Sequence, residues 1–422
     1  MIKLHCKLKQ QTPLLHFQPD EPGACLRGTE VKPKLDKFII SCYLAKEKSV
    51  PDNWFLETKK DKREEKENYA LNYKIRFETQ GMPQINDGSE GHLINKSFFG
   101  NQGIKDKTQL KKTVLYDNPI KLTILCFIPD LLEFIKEYIE DFFVIHNFGT
   151  RQTKGFGAYI VSEINGIGID YENRDYLSIV KKYIPYGLYF EYRNVKTAEK
   201  NVLEDIRIIY GLMKSGFNLT SLGKGSKEDY FKGYIFRYFS ERYPSYMNDK
   251  KFIKTHLEFY NLDSKEIEKI EKENDDREGI YCRALLGLAQ QYEYKKTYEG
   301  TVKIIEENLA KENEKKDEVG DKAKGIARFP SPILWTVAGK YLLAMPMEEE
   351  IEYILNKKFS FVDPQGNSYD IKTPREFNFK EFLYGFQKDF NDKKMPKGGK
   401  IGLAQAENGM LLGAKSLKLS SF

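Results

Sequence analysis

The sequence is short of cysteine and of every cysteine pattern that binds metal. Its five cysteines, Cys6, Cys25, Cys42, Cys126 and Cys282, are odd in number and widely spaced, with no C-x-x-C pair. That excludes a zinc ribbon and a disulfide framework, and leaves reduced, mostly buried thiols as the expectation. No H-E-x-x-H or D-x-[DN]-x-[DN]-G spacing occurs, so neither a metal site nor a cofactor is expected. No apolar run reaches membrane-spanning length. The start, Met1-Ile2-Lys3-Leu4-His5-Cys6, lacks the pattern of a signal peptide. A soluble, cytoplasmic chain with no membrane partner is the expectation. Charge of one sign is not in great excess either, at +6 over 422 residues. Any polyanion site must therefore be local rather than a property of the whole surface. Tryptophan is scarce at 2, but 27 tyrosines and 28 phenylalanines supply rings for cores or for stacking on unpaired bases.

What is present is a concentrated stretch, Gly149-Thr150-Arg151-Gln152-Thr153-Lys154-Gly155-Phe156-Gly157. An apolar helical pattern (Leu131 to Val144) precedes it and a strand-like run (Ala158 to Val161) follows. Glycine takes φ > 0 and lets backbone approach a partner closely. Successive backbone N–H groups can line an anion site, and Arg151 and Lys154 add charge for a phosphate. The alternative is a plain helix cap and turn. The spacing is neither a P-loop nor a Rossmann fingerprint, since the loop leads into a strand.

A second basic feature lies at Arg27, Lys32, Lys34 and Lys37. Thr29 caps a helix in this reading, Pro33 sits in its first turn, and Leu35, Phe38, Ile39 and Tyr43 form the apolar face. Cations at a helix start oppose the dipole, so a bound anion is expected there, against the alternative of a solvated face. In chain order the pattern reads strand (1–8), helix, strand (69–79), a long polar insertion (about 80–118), strand (121–128), helix (129–144), glycine loop, strand to about 164. That is β-α-β-β-α-β, the ferredoxin-like or RRM-like plan. Beyond it come a strand at 186–193, a helix at 198–214 and a hairpin about Gly339-Lys340. A helix at 377–390 follows, with Thr373 and Pro374 as its start signals. A charged stretch (about 306–325) and a lysine- and glycine-rich tail (393–422) read as exposed or loose.

Three pieces resemble the RAMP superfamily of CRISPR-associated proteins, and within it the first subunit of the type III-B (Cmr) effector complex. They are Thr12-Pro13-Leu14 with Leu26 to Pro33, the Gly149–Gly157 loop as G-x-R-x-x-K-G-F-G, and Arg283 to Leu288 with Arg328 to Pro332. The double glycine and tryptophans usual after the basic helix start are absent here, and Phe38 and Tyr43 stand nearby. The resemblance implies an α+β fold of two tandem ferredoxin-like (RRM-like) domains with helical and loop insertions, at 1–165 and 166–392. It implies guide-RNA (crRNA) binding near the 3′ end of the guide, at one end of a multi-subunit filament, with cleavage left to other subunits. Carried over, the RNA-binding residues are Arg27, Lys32, Lys34, Gly149, Arg151, Lys154, Gly155 and Gly157, with no catalytic residue. Partners are crRNA, target RNA and other CRISPR effector subunits. A guide of varying sequence has to be held by its phosphates and sugars, which loop backbone with Arg and Lys can do.

Two other functions are open to these residues. One is a metal-independent endoribonuclease that processes CRISPR repeat RNA, with His16 as general acid or base. Such enzymes usually carry the glycine loop near the C-terminus, whereas here it closes the first half. His146, beside the loop, reads as a helix-end cap. The other is a scaffold whose insertion and tail dock on neighbouring subunits.

Overall fold

The computed structural model describes residues 1–15, 25–56, 70–86, 113–218, 230–249, 252, 278–288, 291–294, 300–306, 329–362, 366, 368–392 and 420–421. His16, Arg328, most of the insertion, the charged stretch beyond 306 and residues 393–419 of the tail lie outside them. The chain divides into two compact units, Met1–Arg207 with Leu334–Met345 and Gln405–Phe422, and Ile208–Ile333 with Pro346–Ala404.

The first unit is built on β1 (Ile2–Gln10), whose period-two alternation buries Leu4, Cys6 and Leu8. It pairs antiparallel with β5 (Ile120–Cys126) on one side and with β6 (Tyr159–Ile164) on the other. β2 (Tyr73–Glu78) lies outside β5, and β7 (Ile167–Gly168) outside β6, giving the order β2-β5-β1-β6-β7. Two helices of equal length cover one face, α1 (Gly28–Leu44) and α2 (Pro129–Ile145). Val31, Leu35 and Ile39 of α1 and Leu131, Ile135, Ile139 and Phe142 of α2 recur at helical spacing and are fully buried. Each such side chain contributes about 1.5–3 kcal/mol by leaving water.

Helix α1 starts one residue before the expected cap. Arg27 is the N-cap, without a side-chain capping bond, and Thr29 is already helical. Pro33 consequently sits in the second turn, where its ring removes one backbone bond. The described ends of the long insertion pair as β3 (Gln84–Asn86) and β4 (Thr113–Leu115).

A second sheet in this unit has the order β15-β16-β8-β19, from β8 (Leu188–Glu191), β15 (Ile333–Ala338), β16 (Tyr341–Pro346) and β19 (Ser420–Ser421). β16 and β19 both run antiparallel to β8. The expected hairpin is β15–β16, with Gly339 at φ 57 in its turn. Ser420–Ser421, at the end of the tail, is paired strand. Helix α3 (Tyr176–Lys181) packs between the sheets through Tyr176, Ile179 and Val180, against Ile160, Ala338 and Leu343. Helix α4 (Val195–Lys214) follows β8.

The described part of the second unit is helical and stranded in alternation. Short strands β9 (Phe217–Asn218) and β10 (Tyr230–Phe231) pair with each other. β11 (Met247–Asn248), β12 (Gly279–Ile280), β13 (Gln291–Tyr294), β14 (Gly300–Glu306), β17 (Lys358–Val362) and β18 (Ser368–Lys372) form a sheet ordered β11-β12-β18-β17-β14-β13. Helices α5 (Tyr234–Arg242) and α7 (Phe379–Asn391) meet through Tyr234 and Phe382, 5.2 Å between ring centroids; α6 (Glu348–Ile354) completes the set. The start signal of α7 is Asn378, whose carboxamide oxygen accepts from the Glu381 N–H at 3.0 Å. The molecule is thus α+β, with several antiparallel sheets and seven helices among the described residues.

Candidate nucleic-acid interface

The glycine loop joins α2 to β6, and two separate chain segments hold its ends. Phe148 N–H donates to Gly157 C=O at 2.9 Å and closes the loop base. The segment after β1 runs alongside. Gln11 N–H donates to Ala158 C=O, Ala158 N–H to Thr12 Oγ1, Gly157 N–H to Pro13 C=O and Thr150 N–H to Leu15 C=O, all within 2.9–3.2 Å. The early Thr12-Pro13-Leu14 piece and the glycine loop, 140 residues apart in sequence, are therefore one ladder.

Three positions require glycine. Gly149, Gly155 and Gly157 have φ 79, 83 and 70, where an L side chain is strained. A Cβ at Gly157 would stand 1.9 Å from Phe148 O, at Gly155 2.3 Å from Ile206 Cδ1, and at Gly149 2.5 Å from Leu14 Cδ1. Arg151 itself is left-handed at φ 60. The loop is a fixed bend that carries Thr150 exposed and Arg151 to Lys154 half-buried.

The expected cradle of backbone donors is not what this bend offers at most of its positions. Gly149 N–H donates to Glu30 Oε1 at 2.6 Å. The N–H groups of Thr150, Lys154, Gly155 and Gly157 all donate to carbonyls of the chain. Burying them unpaired would cost stability, and the fold satisfies them internally. What the loop presents instead is its side chains. Burial, and then the charge of Arg151, pull Lys154 down to about 8; an anion beside the pair would raise it again.

The basic start of α1 has a different solution from the expected anion. Lys34 Nζ donates to Asn147 O at 3.0 Å and to Gln152 Oε1 at 2.6 Å, lies 3.6 Å from Glu30 and sits over the Phe148 ring. Lys32 faces the other way, to Asp36 at 2.6 Å, Leu71 O at 2.9 Å and the Tyr73 ring. Carboxylates and carbonyls of the fold neutralise both ammonium groups. Lys34 is a positioning residue that ties α1 to the loop. Arg27 and Lys37 remain exposed. Of the eight residues the sequence singled out, Lys34, Gly149, Arg151, Lys154, Gly155 and Gly157 share one site. Arg27 caps the helix that abuts it, and Lys32 braces α1 against β2.

Two residues that hold the loop escaped the sequence reading. Asn147 is buried; its Nδ2 donates to Gln152 O and Trp335 O, both at 2.7 Å, and its Oδ1 accepts from Thr336 Oγ1 at 2.6 Å. Glu30 is the other; its one visible signal is the i,i+4 spacing to Lys34. His146 ends α2, with Nδ1 2.9 Å from Phe142 O. Burial pushes it down to about 4, so it is neutral at physiological pH.

In the second unit the two later sequence pieces also meet. Leu288 N–H donates to Phe329 C=O at 2.9 Å, beside Gly287 at φ 99. Arg283 is buried against Asp249. All five cysteines are buried and unpaired. No cluster of metal-ligating side chains occurs among the described residues, and among them no helix is long and apolar enough to cross a membrane.

Fold and site together define an α+β protein in which a glycine-rich basic loop follows the second helix of a four-strand antiparallel core. The Cmr1 N-terminal domain family matches residues 1–217 and the Cmr1 C-terminal domain family residues 230–407. The chain belongs to the Cmr1 family, the family of a subunit of the multi-subunit type III-B Cmr effector complex. No curated protein matches the chain.

Proposed function

We propose that this chain is the subunit that holds crRNA by its sugar–phosphate backbone near the 3′ end of the guide. It cleaves nothing itself, and its other partners are target RNA and neighbouring subunits. The observation that carries the reading is the loop: a bend fixed by three glycines with no room for a Cβ, bearing Arg151 and Lys154 close enough to interact electrically. Cations on a rigid bend suit a phosphate chain of any sequence. The fold reading supports it. In the first sheet the strands taken in chain order, β1, β2, β5 and β6, lie as second-third-first-fourth; β8, β15, β16 and β19 repeat that order in the second. Two ferredoxin-like sheets in tandem account for both, with the second sheet closed by the end of the tail.

Changing Arg151 and Lys154 together to alanine should weaken binding of single-stranded RNA about tenfold or more at low salt, with the melting temperature nearly unchanged. Equal RNA affinity in the double variant sinks the loop's role; a large fall in melting temperature makes the pair structural. Incubating the protein with repeat RNA in chelator should leave the RNA whole. Cleavage lost on His16→Ala would instead establish the processing enzyme.

A further inference from the structure

We infer that the uncovered part of the first sheet's second face, on β2, β5 and β1, is a second, sequence-independent contact surface for single-stranded RNA. The inference rests on the RNA-binding reading but uses different residues. Helices α1 and α2 cover only the face that carries Leu4, Cys6, Leu8, Leu122 and Ile124. The alternate residues point the other way, and the register sets them in three rows across the strands. The first row is Lys74–Leu125–Lys3, the second Arg76–Thr123–His5, and the third Glu78–Lys121–Lys7 with Glu163 beyond it.

The rows hold five Lys or Arg side chains against two carboxylates. Both carboxylates lie in the third row: Glu163 pairs with Lys7 at 2.6 Å, and Glu78 lies between Arg76 (3.1 Å) and Lys121 (3.7 Å). Lys3 and Lys74, in the first row, are exposed, and the side chain of Arg76 is 73% accessible. The patch carries a net +3, half of the +6 of the entire chain. Of the directly opposed pairs only Lys7–Lys121 joins like charges, and each of the two has a carboxylate beside it; Lys3 and Lys74 both stand across from Leu125. Strands about 4.8 Å apart and rows about 7 Å apart place each of these cations within about 10 Å of its nearest neighbour. That is comparable to the Debye length at physiological salt, so their fields add on one polyanion.

The chemistry selects the ligand's backbone rather than its bases. The outward positions of β1, β2 and β5 in these rows carry no aromatic ring on which a base could stack. They carry ammonium and guanidinium groups, which take phosphate. β1 runs directly into the Gln11–Leu15 segment that holds the glycine loop. Toward the loop the outward Lys9 is taken up by Glu199 at 3.0 Å and the Tyr171 ring, so the three rows form a surface separate from Arg151 and Lys154.

The experiment is anisotropy of labelled oligouridine with the full-length chain, titrated between about 50 and 200 mM salt. It uses the wild type, Arg151→Ala, and the triple variant Lys3→Ala, Lys74→Ala, Arg76→Ala. Each lost phosphate contact on a single strand should lower the slope of log K against log salt by about 0.7. The triple variant is therefore expected to lose about 2 in slope and about tenfold in affinity, and Arg151→Ala to lose about 0.7. Lysine acetylation of the wild type gives an independent measure: RNA should protect Lys3 and Lys74 and leave the exposed Lys48, just past the end of α1, reactive. A triple variant with wild-type slope and affinity, beside a weakened Arg151→Ala, overturns the sheet surface and leaves the loop reading standing. A wild type that binds no RNA overturns both. RNA binding unchanged in the triple variant, with loss of association with other Cmr subunits, assigns the face to an acidic protein surface and also overturns the proposal.

Discussion

Lys34 and Lys3 are the same residue type near the start of an element, and the fold uses them in opposite ways. Lys34 is turned inward, its ammonium shared among Glu30, Gln152 and Asn147, and burial lowers its pKa. Lys3 stands exposed on a sheet face with an excess of positive charge. In sequence the start of α1 looked like the anion site, because four cations fall within eleven residues. On β1 the lysines alternate with apolar residues and look like an ordinary amphipathic strand. A cluster along the chain says how much charge is available. Helical phase and strand register decide whether that charge meets carboxylates of its own fold or collects where solvent and ligands reach it.

The comparison can be broken first at the loop that Lys34 serves. Gly157→Ala should cost about 4 kcal/mol or more, because its Cβ would overlap backbone and its φ is left-handed. Gly166→Ala, also at positive φ but with nothing within 4 Å, should cost about 1–2 kcal/mol. Equal chemical-denaturation midpoints for the two would mean that the loop is not packed as described.

Lys34→Ala should come next, at about 2–3 kcal/mol, since it leaves Glu30 and two carbonyl oxygens partly buried without their cation. Lys3→Ala together with Lys74→Ala should stay within about 0.5 kcal/mol per residue of wild type, as exposed substitutions do. Were Lys34→Ala as harmless as the pair, its inward role would be wrong.

Acid unfolding gives a smaller and more particular test. His146 is held near 4 in the folded protein by burial, with the nearby Lys34 charge a lesser cause, against about 6.5 unfolded. Between those values the unfolded chain binds more protons. The contribution is therefore complete above pH 6.5, falls away as pH drops toward 4, and changes no further below. At pH 5 the loss from this group is about 2 kcal/mol. His146→Gln should flatten that part of the pH profile, measured by urea midpoints at pH 7 and pH 5. An unchanged profile would show that His146 is accessible and not packed on Phe38 and Phe142.

Much of the architecture was legible in local patterns. Period-two alternation marked β1, β2 and β5, helical spacing marked α1 and α2, and the turn at Gly339 marked the hairpin. The candidate loop was visible from three glycines and two cations. Its supports were not, since Asn147, Glu30 and the Thr12–Leu15 ladder bind through single carbonyls and amides that leave no periodic trace. The tail illustrates the same limit: glycine and lysine predict looseness, yet Ser420–Ser421 pairs with β8. Two residues of strand carry no pattern, and a sheet edge elsewhere in the chain supplies their partners.

By itself the sequence determined the kind of each element, the requirement for glycine in the loop and the absence of pattern for a metal or disulfide core, because these depend on backbone sterics and on spacing along one chain. The tertiary structure alone decided which cations are bound inside and which face outward, which backbone donors of the loop remain for a ligand, and which strands lie side by side. Many of those pairings join residues far apart in the chain, as Lys34 with Gln152, 118 positions on, and only the closed fold brings their charges and hydrogen-bonding groups within reach.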